Sequence, residues 1–295
     1  MERVPIERIL CPIDFSEFSV RAYDYALALA QHYKARLIAQ HVVELWKHPS
    51  ACFAAEAKQY MSFCERIVAT VTEQLRIFVG DHTPNGIYPE CVTQEGMATE
   101  CILSCAQQRA VNLIVIGTYG CRGFDRLTLG SVTDKVIQKA RCPVLAVHKS
   151  SRELAAPTLA EHPVELREVV FCTNFSKESS GVLDYALSVA AEYKAKLTLV
   201  HVLEGISKLR LQDSTAKAYQ CFDRLVPEQI RLDQGIATAV RAGSAYKEIS
   251  QLASVKHADL VVMAVRDHKG LEDVFSATSY RVARSGECPV LAVYR

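Results

Sequence analysis

Short, unbroken apolar runs alternate along the chain with stretches whose apolar residues recur every three or four positions. Arg8-Ile9-Leu10-Cys11 is the first such run and reads as a buried strand. From Glu17 to Tyr33 apolar side chains fall at Val20, Tyr23, Ala26, Leu27 and Ala30, the spacing of an amphipathic helix. The same logic predicts a strand over Arg36–Val43, a helix over Met61–Val79, a strand over Tyr88–Val92 and a helix over Thr99–Arg109. Leu113-Ile114-Val115-Ile116 is apolar at every position, as suits a strand covered on both faces of a parallel sheet. A helix over Val132–Ala140 and a strand over Val144–Val147 complete the series. Alternating strands and helices imply right-handed crossovers and a doubly wound, Rossmann-like α/β sheet.

The pattern then starts again. Phe15-Ser16, Asp24-Tyr25-Ala26-Leu27, Tyr33-Lys34-Ala35 and His41-Val42 return as Phe175-Ser176, Asp184-Tyr185-Ala186-Leu187, Tyr193-Lys194-Ala195 and His201-Val202, with the spacing unchanged. Each half ends alike, in Cys142-Pro143-Val144-Leu145-Ala146-Val147 and Cys288-Pro289-Val290-Leu291-Ala292-Val293. Agreement at this many positions in register identifies a duplication. The expected organisation is a first domain over 1–149, a linker over 150–165 containing two prolines and little periodicity, and a second domain over 166–295. The second copy is shorter, chiefly because the first carries extra residues around Trp46–Pro89. The apolar runs Val144–Val147 and Val290–Val293 are candidate edge strands, and an unpaired edge invites pairing.

Composition narrows the function classes. With 295 residues, 49% hydrophobic and 23% charged, the chain is an ordinary globular protein of two-domain length. A net charge of +1 leaves no basic footprint for nucleic acid, and no apolar run approaches the roughly 20 residues that span a bilayer. The N-terminus lacks signal-peptide design. Eleven scattered cysteines, several on expected core elements (Cys11, Cys101, Cys105, Cys142, Cys288), read as free thiols in a reducing cytoplasm rather than as a disulfide framework.

The candidate chemistry lies after the strand ending at Ile116. Gly117-Thr118-Tyr119-Gly120 is followed, nine residues later, by Gly130-Ser131 at the start of a helix. Glycines let a backbone turn its N–H groups onto an anion, and the helix start adds unpaired amides and a positive dipole end. The same residues also suit a plain turn and a helix cap. At the end of the first strand, Pro12-Ile13-Asp14 reaches the same sheet edge. Asp14 can accept hydrogen bonds from an adenine amine or a ribose hydroxyl, or can cap the following helix.

Gly117, Gly120, Gly130 and Ser131, together with Pro12, Asp14 and His41-Val42, resemble the universal stress protein family over nearly the whole chain, in its tandem form. The family pattern is Gly-x-x-Gly, nine residues, then Gly followed by Ser or Thr. The resemblance implies domains like those of adenine nucleotide alpha hydrolases and the binding of ATP, or of ADP or AMP, with magnesium. It places adenine near Asp14 and Val42, ribose beside Ile116 and Gly117, and phosphates on Gly120, Gly130, Ser131 and the Val132 amide. Arg122 and Arg126 are candidate phosphate partners by charge alone, and a solvated surface role is the more ordinary one for such arginines. It further implies that the last strands of the two copies pair as an intramolecular pseudo-dimer, with a homodimer of the whole chain and a regulated protein partner as further expectations.

The second copy departs from the pattern. Ala264-Val265-Arg266-Asp267 stands where the leading glycines would be, Ser276 or Ala277 replaces Gly130, Asn174 replaces Asp14 and Cys172 replaces Pro12. Pro12, Asp14, Gly117, Gly120 and Gly130 thus change as a set while the fold-bearing residues persist, which predicts that the five serve a ligand. The chain has no Gly-x-x-x-x-Gly-Lys-Ser/Thr loop and no Gly-x-Ser-x-Gly elbow. His41 recurs as His201 in the copy without the loop, so both read as structural. The expectation is a cytoplasmic, nucleotide-linked regulator of the stress response with slow or no ATP hydrolysis. The alternatives are an ATP-hydrolysing enzyme and an interaction scaffold without nucleotide.

Overall fold

The computed structural model describes residues 6–45, 57–84, 86–118, 130–148, 165–265, 274–285 and 288–294. In the first repeat the elements run β1 (Arg8–Pro12), α1 (Glu17–Tyr33), β2 (Arg36–Val43), α2 (Ala57–His82), β3 (Glu90–Glu95), α3 (Ala98–Gln108), β4 (Leu113–Gly117), α4 (Ser131–Lys139) and β5 (Val144–Val147). The second repeat follows with β6 (Glu168–Cys172), α5 (Lys177–Tyr193), β7 (Lys196–Leu203), α6 (Lys208–Leu225), α7 (Glu228–Asp233), β8 (Ala237–Ala242), α8 (Ala245–Lys256), β9 (Leu260–Val265), α9 (Val274–Ser285) and β10 (Val290–Tyr294). The expected linker lies almost wholly outside the described residues.

The described residues form two compact units, one from 6–142 and one from 143–148 with 165–294. In the first, the strand order is β3-β2-β1-β4, with all paired strands parallel. In the second it is β5-β10-β9-β6-β7-β8, where β5 runs antiparallel to β10 and the other pairs are parallel. The strand that closes the first repeat in sequence therefore packs with the unit of the second. Val144, Leu145 and Ala146 face Ala292, Leu291 and Val290 across that ladder.

Each unit is built from the same local devices. Ser16 caps α1 by accepting the Ser19 N–H, and Ser176 caps α5 by accepting the Ser179 N–H. Both helices end on a lysine in the left-handed region, Lys34 and Lys194 at φ 53°, whose N–H groups close onto the last carbonyls. Just before each helix, Phe15 (φ 62°) and Phe175 (φ 61°) take the left-handed conformation as well. For such a residue this costs roughly 1–2 kcal/mol. Ring packing offsets it: Phe15 stacks on His41 and meets Phe78 edge-on, and Phe175 packs on His201 and meets Phe222 edge-on. The central strands β4 and β9 are buried at every position, as their unbroken apolar runs require. Leu75 and Phe222, each fully buried, anchor the long outer helices of their respective units, each contributing on the order of 1.5–3 kcal/mol by burial.

Two elements differ from expectation. β3 begins at Glu90 and not at Tyr88, because its register follows β2, with Ile38 opposite Glu90 and Val43 opposite Glu95. As a half-exposed edge strand with a polar sequence, it shows no apolar run to mark its start. The outer connection is one long helix in the first repeat but two in the second. Pro227 caps α7 there, and proline cannot continue the ladder of a preceding helix. Every described cysteine is a free thiol. Burial pushes the Cys11 and Cys172 thiols far above their usual range, and Cys142 up to about 11, so these three are not poised as nucleophiles. No described helix is long and apolar enough to cross a membrane.

Candidate nucleotide site

The strand order reverses between β1 and β4 in the first unit, and a parallel α/β sheet offers its ligand crevice outside the strand ends at that point. Pro12 ends β1, and the Ile13 N–H extends the ladder by donating to the Gln40 carbonyl at 2.7 Å. Asp14 follows, half-buried, with Oδ1 accepting the Ser16 N–H at 3.0 Å and the Ser16 hydroxyl at 2.6 Å. The helix cap is therefore Ser16, and Asp14 holds the turn that presents it. In the second repeat Asn174 makes the same turn, accepting the Ser176 N–H at 3.1 Å. The turn needs an oxygen acceptor, not a charge.

Val42 is half-buried near the end of β2, opposite Gln94. Beside it, His41 Nδ1 lies 2.7 Å from the Ile13 carbonyl, and His201 repeats the bond to Thr173 at 2.8 Å. A carbonyl can only accept, so Nδ1 carries the proton in both. Burial lowers the His41 pKa from 6.5, against the opposing pull of the Ile13 bond and of the Asp14 charge. Above about pH 6.5 both folded and unfolded states hold a neutral imidazole, so the contribution to stability is complete; below it, the unfolded chain takes up a proton that the folded one resists. Stability is then lost as pH falls toward the lower folded value. His41→Asn keeps a donor for Ile13 and removes the titration, so thermal melts between pH 7 and pH 5 should show a shallower fall than in the wild type. An equally steep fall in the variant would contradict this role.

Ile116 is buried at the end of β4, and Gly117 follows against the first turn of α1. A β-carbon on Gly117 would sit 2.8 Å from the Phe18 carbonyl oxygen and 2.9 Å from its carbon. Gly117 thus serves the packing of helix on strand, which corrects the expectation that all five residues lost from the second repeat serve only a ligand. In that repeat Ala264, buried, occupies the equivalent place in β9.

Two hydrogen bonds join the residues that flank 119–129. The Gly130 N–H donates to the Thr118 carbonyl at 2.8 Å, and the Thr133 hydroxyl donates to the Gly117 carbonyl at 2.7 Å. Gly120, with Arg122 and Arg126, lies outside the described residues. Gly130 is the N-cap of α4 and brings no side chain, so no side-chain cap bond closes this helix start among the described residues. Ser131 and Val132 are its first two residues, carrying two of the amides that a helix leaves without an intrahelical partner. The Gly130 amide itself is committed inward. Thr118 is fully buried, yet its hydroxyl has no hydrogen-bond partner among the described residues. The sequence reading missed Thr118 and Thr133. Thr133 was findable, since Ser279 stands at the matching helical position of the second repeat and is likewise buried.

The structure thus brings Pro12, Asp14, Val42, Ile116, Gly117, Gly130, Ser131 and Val132 to one edge of one sheet. A mostly parallel sheet with alternating strands and helices, and a strand-order reversal between β1 and β4, defines the class as doubly wound α/β. The chain belongs to the universal stress protein family, whose model matches residues 5–148 and again 165–294. It is 31% identical over 147 residues to a universal stress protein of Methanocaldococcus jannaschii, covering 50% of this chain and 85% of that one. It is 32% identical over 141 residues to one of Thermus aquaticus, covering 47% and 96%. Among solved structures, a universal stress protein from Archaeoglobus fulgidus superposes with a TM-score of 0.60 at 19% identity, covering 99% of this chain and 98% of that one. A functionally unknown protein from Pseudomonas aeruginosa gives 0.64 at 14% identity, covering 99% and 93%. At such identities the likeness is one of fold.

Proposed function

We propose that the first repeat binds an adenine nucleotide, ATP or its products ADP and AMP, and that the protein is a nucleotide-linked regulator of the stress response with slow or no hydrolysis. The observation that carries this reading is the start of α4, which no side chain caps among the described residues and which the Gly130–Thr118 and Thr133–Gly117 bonds fix beside the end of β4. A helix start held open in this way, with a positive end worth roughly half an elementary charge, suits a phosphate group. Ser131 and Val132, with Gly120, would hold the phosphates; Gly130 would act through the space its missing side chain leaves. Pro12, Asp14, Val42, Ile116 and Gly117 would border the adenosine. Magnesium would be carried by the phosphate oxygens of the nucleotide. The neutral, carbonyl-bound His41 recurs in the repeat without the loop, so it favours binding over base catalysis.

For the second repeat we propose a packing or partner-presenting role, because Val265 replaces Thr118 and Asp267 would set a negative charge where phosphates would lie. The sequence-defined domains, 1–149 and 166–295, would form an intramolecular pseudo-dimer through their last strands, a reading supported by the β5–β10 ladder. A homodimer of the chain and a regulated protein partner in the cytoplasm belong to the same proposal.

The test is direct. Mass analysis of material released on denaturing the purified protein should find an adenine nucleotide. Millimolar ATP should raise the melting temperature, since a ligand that binds only the native state stabilises it by mass action. Replacing Gly130 by Leu should abolish that shift. A protein that carries no nucleotide and does not respond to ATP, ADP or AMP is the scaffold of the alternative reading.

A further inference from the structure

The edge of the first unit's sheet that lies away from the nucleotide site carries a second feature. Where β1, β2 and β3 begin and α1 ends, a groove of about 700 Å³ opens, bordered by Arg8, Lys34, Arg36, Tyr88, Glu90 and Arg109. Arg109 is bound by Glu90. Arg8 has Glu7 only at 3.9 Å, the outer limit of an ion pair between two well-exposed side chains. Lys34 and Arg36 have no carboxylate partner among the described residues.

The register makes this arrangement unusual. Arg8 and Arg36 are directly opposed partners on the parallel strands β1 and β2. Like charges directly opposed across a sheet destabilise it. The second repeat supplies a control within the same chain. There Glu168 and Lys196 hold the corresponding positions of β6 and β7, directly opposed, and form an ion pair at 3.6 Å. The fold is thus compatible with a neutral pair at this place, and the first repeat has two cations, with Lys34 as a third beside them. The groove they border is large enough for a small metabolite, and Ile87 and the largely exposed Tyr88 give it an apolar wall.

We propose that this groove is a second ligand site, taking a small organic oxyanion, a phosphate ester or carboxylate with an apolar or aromatic body. The oxyanion sits among Arg8, Lys34 and Arg36: the two guanidinium forks suit bidentate contact with either group, and the Lys34 ammonium adds a point charge. The body lies against Ile87 and Tyr88. The site stands independently of the nucleotide reading.

Phenyl phosphate, benzoate and inorganic phosphate serve as probes in thermal melts and calorimetry of the full chain, each against sodium chloride at matched ionic strength. At least one of the two aromatic probes should raise the melting temperature beyond the chloride control; phenyl phosphate alone identifies a phosphate ester and benzoate alone a carboxylate. Arg36→Gln should weaken the response about tenfold in affinity, as expected for loss of one charge-assisted contact. Arg8→Glu recreates the pairing of the second repeat. It should raise the melting temperature without ligand, abolish the response to the probes, and leave the response to ATP as it is in the wild type. The proposal is overturned if chloride reproduces the shift, if no probe produces one, if both arginine variants respond like the wild type, or if Gly130→Leu, and not Arg8→Glu, removes the response.

Discussion

Replacing Gly117 with valine is expected to lower the melting temperature of the protein by about 2–12 °C, the larger part of it from one steric contact. The β-carbon alone would stand 2.8 Å from the Phe18 carbonyl oxygen. That neighbour is backbone in the first turn of α1, held by the Ser16 cap two residues earlier, so it cannot swing aside as the end of a side chain could. Accommodating the branched side chain requires α1 to withdraw from β4, opening the contact between a helix and a strand buried at all five positions. Overpacking of this kind typically costs about 1–3 kcal/mol, and 1 kcal/mol moves a domain of this size by roughly 2–4 °C. Gly117→Ala should fall in between. Ala264→Gly, in the second repeat, should cost about 1–2 kcal/mol through chain entropy and the loss of one buried methyl. Circular dichroism melts of the three variants decide the matter. A Gly117→Val protein as stable as the wild type would mean that the glycine serves only the ligand.

That case shows where the sequence was informative and where it stopped. The helix over Glu17–Tyr33 and the strands over Arg36–Val43 and Val144–Val147 were legible to the residue. Their periodicity is strong, and serine before α1 and lysine after it mark the ends. The extent of β3 was not legible, because Glu90–Glu95 is polar and takes its register from β2. The pairing of β5 with β10 was implied only by the family resemblance, since an apolar run of four residues does not by itself name its partner. At the site, the glycine pattern and Asp14 were visible as letters. The division of labour among them was not. Gly117 proved to answer to Phe18, Gly130 turns its amide inward to Thr118, and the cap assigned to Asp14 as one option belongs to Ser16. Each of these depends on which backbone atoms approach one another, and spacing does not encode that.

The comparison of repeats also isolates what the Asp14 charge does. Asp14→Asn should leave the fold intact, with a melting temperature within about 2 °C of the wild type, because Asn174 already makes the same turn onto Ser176 in the second repeat. Nucleotide affinity should nevertheless fall about ten- to hundredfold. Under the proposed reading the Asp14 carboxylate also meets the nucleotide, while Ser16 draws both its N–H and its hydroxyl bond to Oδ1. An amide keeps one oxygen for the turn and presents an NH₂ group where the carboxylate had an acceptor. A ribose hydroxyl or an adenine amine then meets a donor instead of an anion. Loss of a hydrogen bond to a charged group is worth roughly 1.5–3 kcal/mol, which is that range of affinity. Calorimetric titration with ATP, run beside thermal melts of the unliganded variant, separates the two effects. Unchanged affinity in a folded Asp14→Asn protein would remove Asp14 from the site and leave it as a turn residue alone. Unfolding of the variant would show that the negative charge is needed by the first repeat in a way that Asn174 does not reproduce.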